Sequence, residues 1–301
     1  MIDKCIPSCG ATRYSGGIFT RILDDEYEYR WAVESHKFYI KYLGKAEFVN
    51  WGYLIIEESK LAESDYKEYK YDIPKIKLIY PDRIGDVLGL DIKLDNEMGL
   101  LVLDDFTVDP AKLINYLIKK YIDRGGEYIE TQYKEYNVYN KTVSTEAGEY
   151  RFDKLFLCMG PWGEELPYSY KYLRLISVPI YRFDLKINVG YWDEKFYGYF
   201  RKDIDSIVGG FYDAYPVNTV EDGFGIPTRE SIEYTLNILS LRLGYKPKII
   251  DMWRATISLS NNRRPIHITI NNDIHVFNGF GGRGIIIGPG YISEEIRDII
   301  D

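Results

Sequence analysis

Apolar and aromatic residues recur at helical spacing between Asp24 and Leu43, where Tyr27, Trp31, Phe38 and Tyr42 predict one inward face. Asp24 or Asp25 is placed to cap that helix, and Gly44 stands where a left-handed C′ residue belongs. A second helix is signalled by Asp109 as N-cap and Pro110 at N1, then Leu113, Ile114, Leu117 and Tyr121, with Gly125 as its stop. It lies between an apolar run at Gly99–Leu103 and a strand expected near Glu127–Thr131, a local α/β pattern. A third helix is expected from Thr228 to Gly244 with Ile232, Leu236, Leu239 and Leu243 inward, and a short final one from Ser293 through Ile296 and Ile300.

The strand patterns are of two kinds. The run Lys154–Cys158 is continuously apolar, as in a parallel strand buried on both faces, whereas Tyr181–Val189 alternates as in a sheet with one wet face. Two further strands are expected at Pro265–Ile270 and Asp273–Asn278. The charged, Tyr-rich segment Glu57–Tyr71 reads as solvated surface. No repeat or low-complexity linker divides the chain, so its domains should interleave.

Composition narrows the classes. The chain has 301 residues, 46% apolar, with 38 Lys+Arg against 46 Asp+Glu, a net charge of −8. That supports one large or two ordinary globular domains and argues against a nucleic-acid partner, which needs clustered positive charge. Apolar runs such as Leu100–Leu103 and Leu155–Met159 are far shorter than the ~18 residues of a membrane helix. The start, MIDKCIPSCG, has no apolar signal core, so the expected location is the cytoplasm. Three cysteines, Cys5, Cys9 and Cys158, do not suggest a disulfide framework, and with three His the expectation is plain thiols and no metal. His36, His267 and His275 are read as structural. One Gln, four Met and abundant Glu, Lys, Ile and Tyr lean towards a thermophilic source.

Two Gly-rich segments stand near opposite ends. Gly279–Gly284 (GFGGRG) satisfies G-x-G-x-x-G after a strand, but seventeen residues remain, too few for the helix, second strand and acidic residue of a nucleotide-binding unit. Dense glycines still let backbone approach something planar or anionic. Gly10–Arg21 (GATRYSGGIFTR) mixes Gly and Ala with Thr12, Ser15, Arg13 and Arg21, a loop able to wrap a polar cofactor.

Together these segments resemble the FAD-dependent amine and amino-acid oxidoreductases, the group of D-amino-acid oxidase, glycine and sarcosine oxidases, and dimethylglycine and proline dehydrogenases. GATRYSGGI and the helix to Leu43 resemble the flavin-contacting loop and the helix behind it; Trp51–Glu58 resembles the opening substrate-domain strand, and Thr107–Leu113 a "dP..l" helix start. Phe152–Leu166 is similar to the "aGaW" turn, Trp253–Ile266 to the "WaGl…TpD..Pi" segment, and GFGGRGIIIGPG to the C-terminal flavin-ring loop.

The resemblance implies an α/β plus α+β fold. An FAD-binding domain with a parallel central sheet (residues 1–45, 99–165 and 262–301) would interleave with an antiparallel-sheet substrate domain (46–98 and 166–261). It implies FAD bound by Asp3, Ala11, Thr12, Ser15, Gly16, Gly17, Gly160, Gly281, Gly282, Arg283, Gly284 and Ile285. The family normally opens with strand, G-x-G-x-x-G, helix and second strand ending in an acidic residue. Here Asp3 matches that acidic residue, and about thirty residues that would hold the pyrophosphate precede it in relatives. Three explanations stand: a start codon placed too late, a partner polypeptide supplying the unit, or a relict that no longer binds FAD.

The implied reaction is oxidation of a C–N bond in a small amine or amino acid, with hydride passing to the flavin and an imine as product. A substrate carboxylate calls for an arginine fork, for which Arg21 is the first candidate, then Arg254 and Arg201; Tyr199 matches a strand that contributes a pocket tyrosine. Ile257 and Asn262 depart from the residues relatives place there, and Arg283 offers a cation beside the flavin ring. The rival expectation is a non-catalytic subunit of the same fold that binds a polypeptide and not FAD.

Overall fold

Twelve consecutive positions, Glu97–Val108, form a long strand because its apolar residues can alternate between two covered faces. The computed structural model describes residues 1–4, 10–44, 46–165, 172–193, 196–201, 206–210 and 214–300, so Cys5 and Cys9 lie outside the described residues. The Glu97–Val108 strand pairs antiparallel with Val49–Glu58, which in turn runs parallel to Gly190–Asp193. They belong to a ten-stranded sheet completed chiefly by Leu173–Phe183, Tyr197–Arg201, Ser206–Gly210 and Ile249–Ser260.

Alternation sorts this sheet's side chains into two cores. Leu54, Ile56, Tyr181, Phe183 and Tyr191 meet Leu239 and Leu243 of the helix Arg229–Leu243 on one face. Tyr53, Ile55, Leu100 and Val102 meet Ala62 and Tyr69 of the helix Ser59–Tyr69 on the other. The Glu57–Tyr71 segment is thus largely a surface helix, anchored through those two residues. Arg242, buried beneath the first face, donates to Asp193 Oδ2 (3.0 Å) and Glu97 Oε2 (2.7 Å), a paired charge the periodicity concealed.

Two small sheets carry parallel pairs. Ile2–Asp3 pairs with Ile129–Glu130, and Leu155–Leu157 pairs with Ile274–Val276, whose strand continues antiparallel to Ile266–Asn271. The mixed α/β architecture with parallel and antiparallel sheets is the expected one. Burial of the Lys154–Cys158 run on both faces is not observed: Phe156 is 40% exposed. Among the described residues only the Ile274 strand bonds to it, so the other edge and part of one face lack cover.

The helices require three adjustments. The first runs Glu26–Leu43 from an Asp25 cap that accepts from Tyr27 and Glu28 N–H (3.0 and 3.1 Å). Its inward face is Glu28, Trp31, Ala32, Ser35, Tyr39 and Leu43, with Tyr27 exposed, and Gly44 is right-handed (φ −53°). Small residues displace the aromatic stripe because the helix Gly284–Glu295 lies so close that a Cβ on Gly290 would sit 2.0 Å from the Trp31 carbonyl oxygen. Gly290 N–H donates to Ser35 Oγ at 2.9 Å across this contact. The C-terminal helix consequently begins at Gly284, well before Ser293, and the alternating strand is Leu173–Phe183, ending before Val189. Helices Pro110–Ile122 and Arg229–Leu243 follow their predicted caps, Asp109 and Thr228.

Candidate functional site

One strand, Ile249–Ser260, gathers the Gly-rich segments. Four 3-10 turns pack against it: Ala11–Tyr14, Gly160–Glu165, Glu221–Gly223 and Gly281–Arg283. Ala11, Thr12, Ser15, Gly16 and Gly17 come with the first turn, Gly160 with the second, and Gly281, Gly282 and Arg283 with the fourth, which runs into Gly284 and Ile285 at the head of the last helix. Residues from three distant stretches of sequence therefore meet at one place. Asp3 stands in a short parallel pair with Glu130, and the ammonium of the next residue, Lys4, lies 4.4 Å from the ring centroid of Trp162 in the second turn.

Hydrogen bonds fix the turns. Trp253 Nε1 donates to the Tyr14 carbonyl (3.3 Å). Asn278, 2% exposed, donates from Nδ2 to the Gly160 carbonyl (2.7 Å) and accepts on Oδ1 from Ser258 Oγ (2.6 Å) and Gly279 N–H (2.7 Å). Gly17 has φ +62° and its carbonyl accepts from Val108 N–H at 2.8 Å, so close that a side chain there would strike the Val108 carbonyl. By contrast, a Cβ on Gly160 or Gly282 would meet nothing within 4 Å. Those two glycines border open space.

The arginines divide sharply. Arg21 is 5% exposed and spends its guanidinium within the protein: Nε donates to Asp105 Oδ1 (2.7 Å), Nη2 to Asp104, and Nη1 faces His36 Nδ1 (3.5 Å). Burial pushes the Asp105 carboxyl up to about 6, with Arg21 opposing the shift; burial, then Arg21, lowers that of His36. Arg283 ties the fourth turn to the first helix through Glu28 and to the Arg263 carbonyl (2.8 Å). Burial raises Glu28 despite that arginine.

Arg254 is different. It projects from the gathering strand, donating to the Tyr215 hydroxyl and, from Nη2, to the Phe224 carbonyl (3.1 Å), while its buried Nε finds no hydrogen-bond partner. Phe224 stands between Tyr14 (ring centroids 5.8 Å) and Trp162 (6.1 Å), joining this arginine to two of the turns. Tyr199 and Arg201 lie on the strand Tyr197–Arg201, but their side chains fall outside the described residues. Ile257 pairs in register with Ile176, and Asn262 organises a turn, accepting from Ser260 Oγ (3.0 Å) and Arg264 N–H (3.1 Å). Asn278, Phe224 and Tyr215 were missed by sequence reasoning; the Asn-Gly step ending an apolar strand was the one available signal.

The mixed α/β scaffold thus brings two Gly-rich turns and the turn after an apolar strand against one strand. The chain belongs to the family of FAD-dependent oxidoreductases (DAO), whose profile matches residues 1–298. Its fold is that of L-proline dehydrogenase from P. horikoshii, at 18% identity and a TM-score of 0.83 over 99% of this chain and 86% of the other. Glycine oxidase from Bacillus cereus ATCC 14579 gives 14% identity and 0.77 over 99% and 88%. Iminodiacetate oxidase from Chelativorans sp. BNC1 gives 16% and 0.73 over 96% and 86%. No curated protein sequence matches the chain. The chain is thus an FAD-dependent oxidoreductase. No helix among the described residues is long and apolar enough to cross a membrane.

Proposed function

We propose that this enzyme oxidises the C–N bond of a small amino acid whose carboxylate is held by Arg254. The observation that carries the reading is the half-buried Arg254 guanidinium on the strand against which the turns pack, bound to a hydroxyl and a carbonyl and, among the described residues, to no carboxylate. A half-buried cation without a counter-charge is costly, and a substrate carboxylate is the ligand that would neutralise it. Arg21, first candidate by position in the sequence, has its guanidinium engaged by Asp104 and Asp105. Bound FAD supplies the two-electron acceptor for the hydride.

The protein's part is orientation. The Arg254 guanidinium, steadied by the Tyr215 hydroxyl and the Phe224 carbonyl, fixes the carboxylate end of the substrate. Trp162, Phe224 and Tyr14 supply aromatic surface that displaces water. Backbone at Gly160, Gly281 and Gly282 and the head of the helix Gly284–Glu295 receive the ring. Anaerobic mixing of the FAD-loaded chain with a panel of small amino acids and imino acids is expected to bleach the flavin band; no bleaching by any of them would discard the reading.

Gly282 supplies a direct check on the cofactor's place. Because a Cβ there meets nothing, Gly282→Leu is expected to leave the urea midpoint unchanged while raising the FAD dissociation constant about tenfold, measured by flavin fluorescence quenching. Unaltered binding would move the ring elsewhere.

Among the described residues one edge of Leu155–Leu157 is unpaired, which favours a second element of the proposal: a β-α-β unit, carried on the same polypeptide or a partner, completes the adenosine end. Residues 1–301 alone are then expected to bind FAD weakly. A stoichiometric yellow complex that survives gel filtration would contradict this element and leave the substrate reading standing.

A further inference from the structure

We propose that His267, His275 and Thr269 form a binding site for one divalent transition-metal ion of the zinc class, away from the gathered turns. Two of the chain's three histidines face each other on neighbouring strands, Ile266–Asn271 and Ile274–Asn278. His267 Nε2 lies 3.2 Å from His275 Nδ1, and Thr269 Oγ1 lies 3.5 Å from the first and 3.4 Å from the second. Tetrahedral zinc with metal–nitrogen bonds of about 2.0–2.1 Å sets its donors about 3.3–3.4 Å apart, so the three atoms outline one face of such a polyhedron. Thr269 is exposed, which leaves the fourth corner to water.

The surroundings prepare both rings for ligation. Glu295 Oε2 lies 2.7 Å from His267 Nδ1, so the carboxylate holds the proton there and turns the Nε2 lone pair towards His275. His275 is 4% exposed, so an ion bound at its Nδ1 would be shielded from water on that side. The Phe277 ring stacks on His267 (centroids 4.5 Å, 8° between planes) and Phe156 on His275 (5.5 Å). With Glu295 drawn in behind, a bound ion would tie two strands to the end of the helix whose first residue follows the flavin turn. The other histidine–carboxylate group, His36 with Asp104 and Asp105, has the Arg21 guanidinium among its oxygens, and a second cation there would be repelled.

The test is titration of the metal-stripped chain with Co²⁺ and Zn²⁺. One equivalent of Co²⁺ is expected to develop the visible bands of a four-coordinate ion, and Zn²⁺ at a hundredfold excess over its Kd to raise Tm by about 5 °C. His267→Asn and His275→Asn should each abolish both signals. Glu295→Gln, at a partly exposed position, should weaken affinity about 10–100-fold. Replacing Cys5 and Cys9 by Ser should leave the single site intact. No cobalt bands, binding that persists without either histidine, binding lost with the two thiols, or an unchanged affinity in Glu295→Gln would each overturn the assignment.

Discussion

Replacing Arg254 by methionine is expected to lower kcat/KM for an amino-acid substrate about a hundredfold at saturating FAD, with the loss carried mainly by KM. A charge-assisted hydrogen bond to a carboxylate contributes roughly 1.5–3 kcal/mol, and ~1.4 kcal/mol is a factor of ten. Methionine preserves most of the volume and removes the fork. Arg254→Lys keeps the charge and loses the planar geometry, so an intermediate loss is expected. The informative control is the matching amine without a carboxylate, whose turnover should be nearly the same in the parent and in Arg254→Met. If both substrates lose equally, Arg254 holds Tyr215 and Phe224 in place and touches no substrate. Steady-state kinetics with the substrate pair decide the matter.

Arg21→Met is expected to cost about 3–5 kcal/mol of stability at pH 7.5, as removal of one partner of a buried ion pair does. The urea midpoint measures it. The pH dependence follows from Asp105, whose carboxyl titrates near 3.8 when solvated and is pushed up to about 6 by burial in the folded chain. Between those values the native state holds the extra proton, so stability falls as pH rises through that window. Without Arg21 the carboxyl loses the charge that opposes the shift and rises further, so the variant's penalty should be larger at pH 7.5 than at pH 5. Arg21→Met combined with Asp105→Leu should be more stable than Arg21→Met alone, because no uncompensated carboxylate remains at 105. A penalty below 1 kcal/mol, or one that grows on acidification, would show that the pair is solvated in the native state.

The N-caps were legible because Asp25, Asp109 and Thr228 act on backbone two or three residues away; of the glycine stops only Gly244 takes the left-handed C-cap conformation. The turns Ala11–Tyr14 and Gly281–Arg283 were legible as Gly-rich segments, and their meeting through the order of motifs along the chain. What stayed hidden depends on distant partners. The inward face of the first helix is set by Gly290, 255 residues from Ser35, and no periodicity within the helix reports that contact. Arg21 looked free for a substrate because its partners sit in a strand 84 residues on. A cue existed there, since Asp104 and Asp105 interrupt an apolar strand and two carboxylates in such a place call for an arginine. Arg254 was a candidate by its place in the sequence, and packing sets it above Arg21, since its described partners are a hydroxyl and a carbonyl and no carboxylate.

The backbone contact between Trp31 and Gly290 also governs when the molecule can be finished. Residues 49–260 contain the partner strands of most of the large sheet and can pair while synthesis continues, since domains begin folding as they leave the ribosome. The helix Glu26–Leu43 emerges before these strands, yet Trp31 and Ala32 are covered by Ile286, Ile287 and Tyr291, which emerge after them. That apolar face waits for its cover while the whole large sheet is made, so a ribosome stalled before Gly284 would present a chaperone with a nearly complete sheet and one bare helix face.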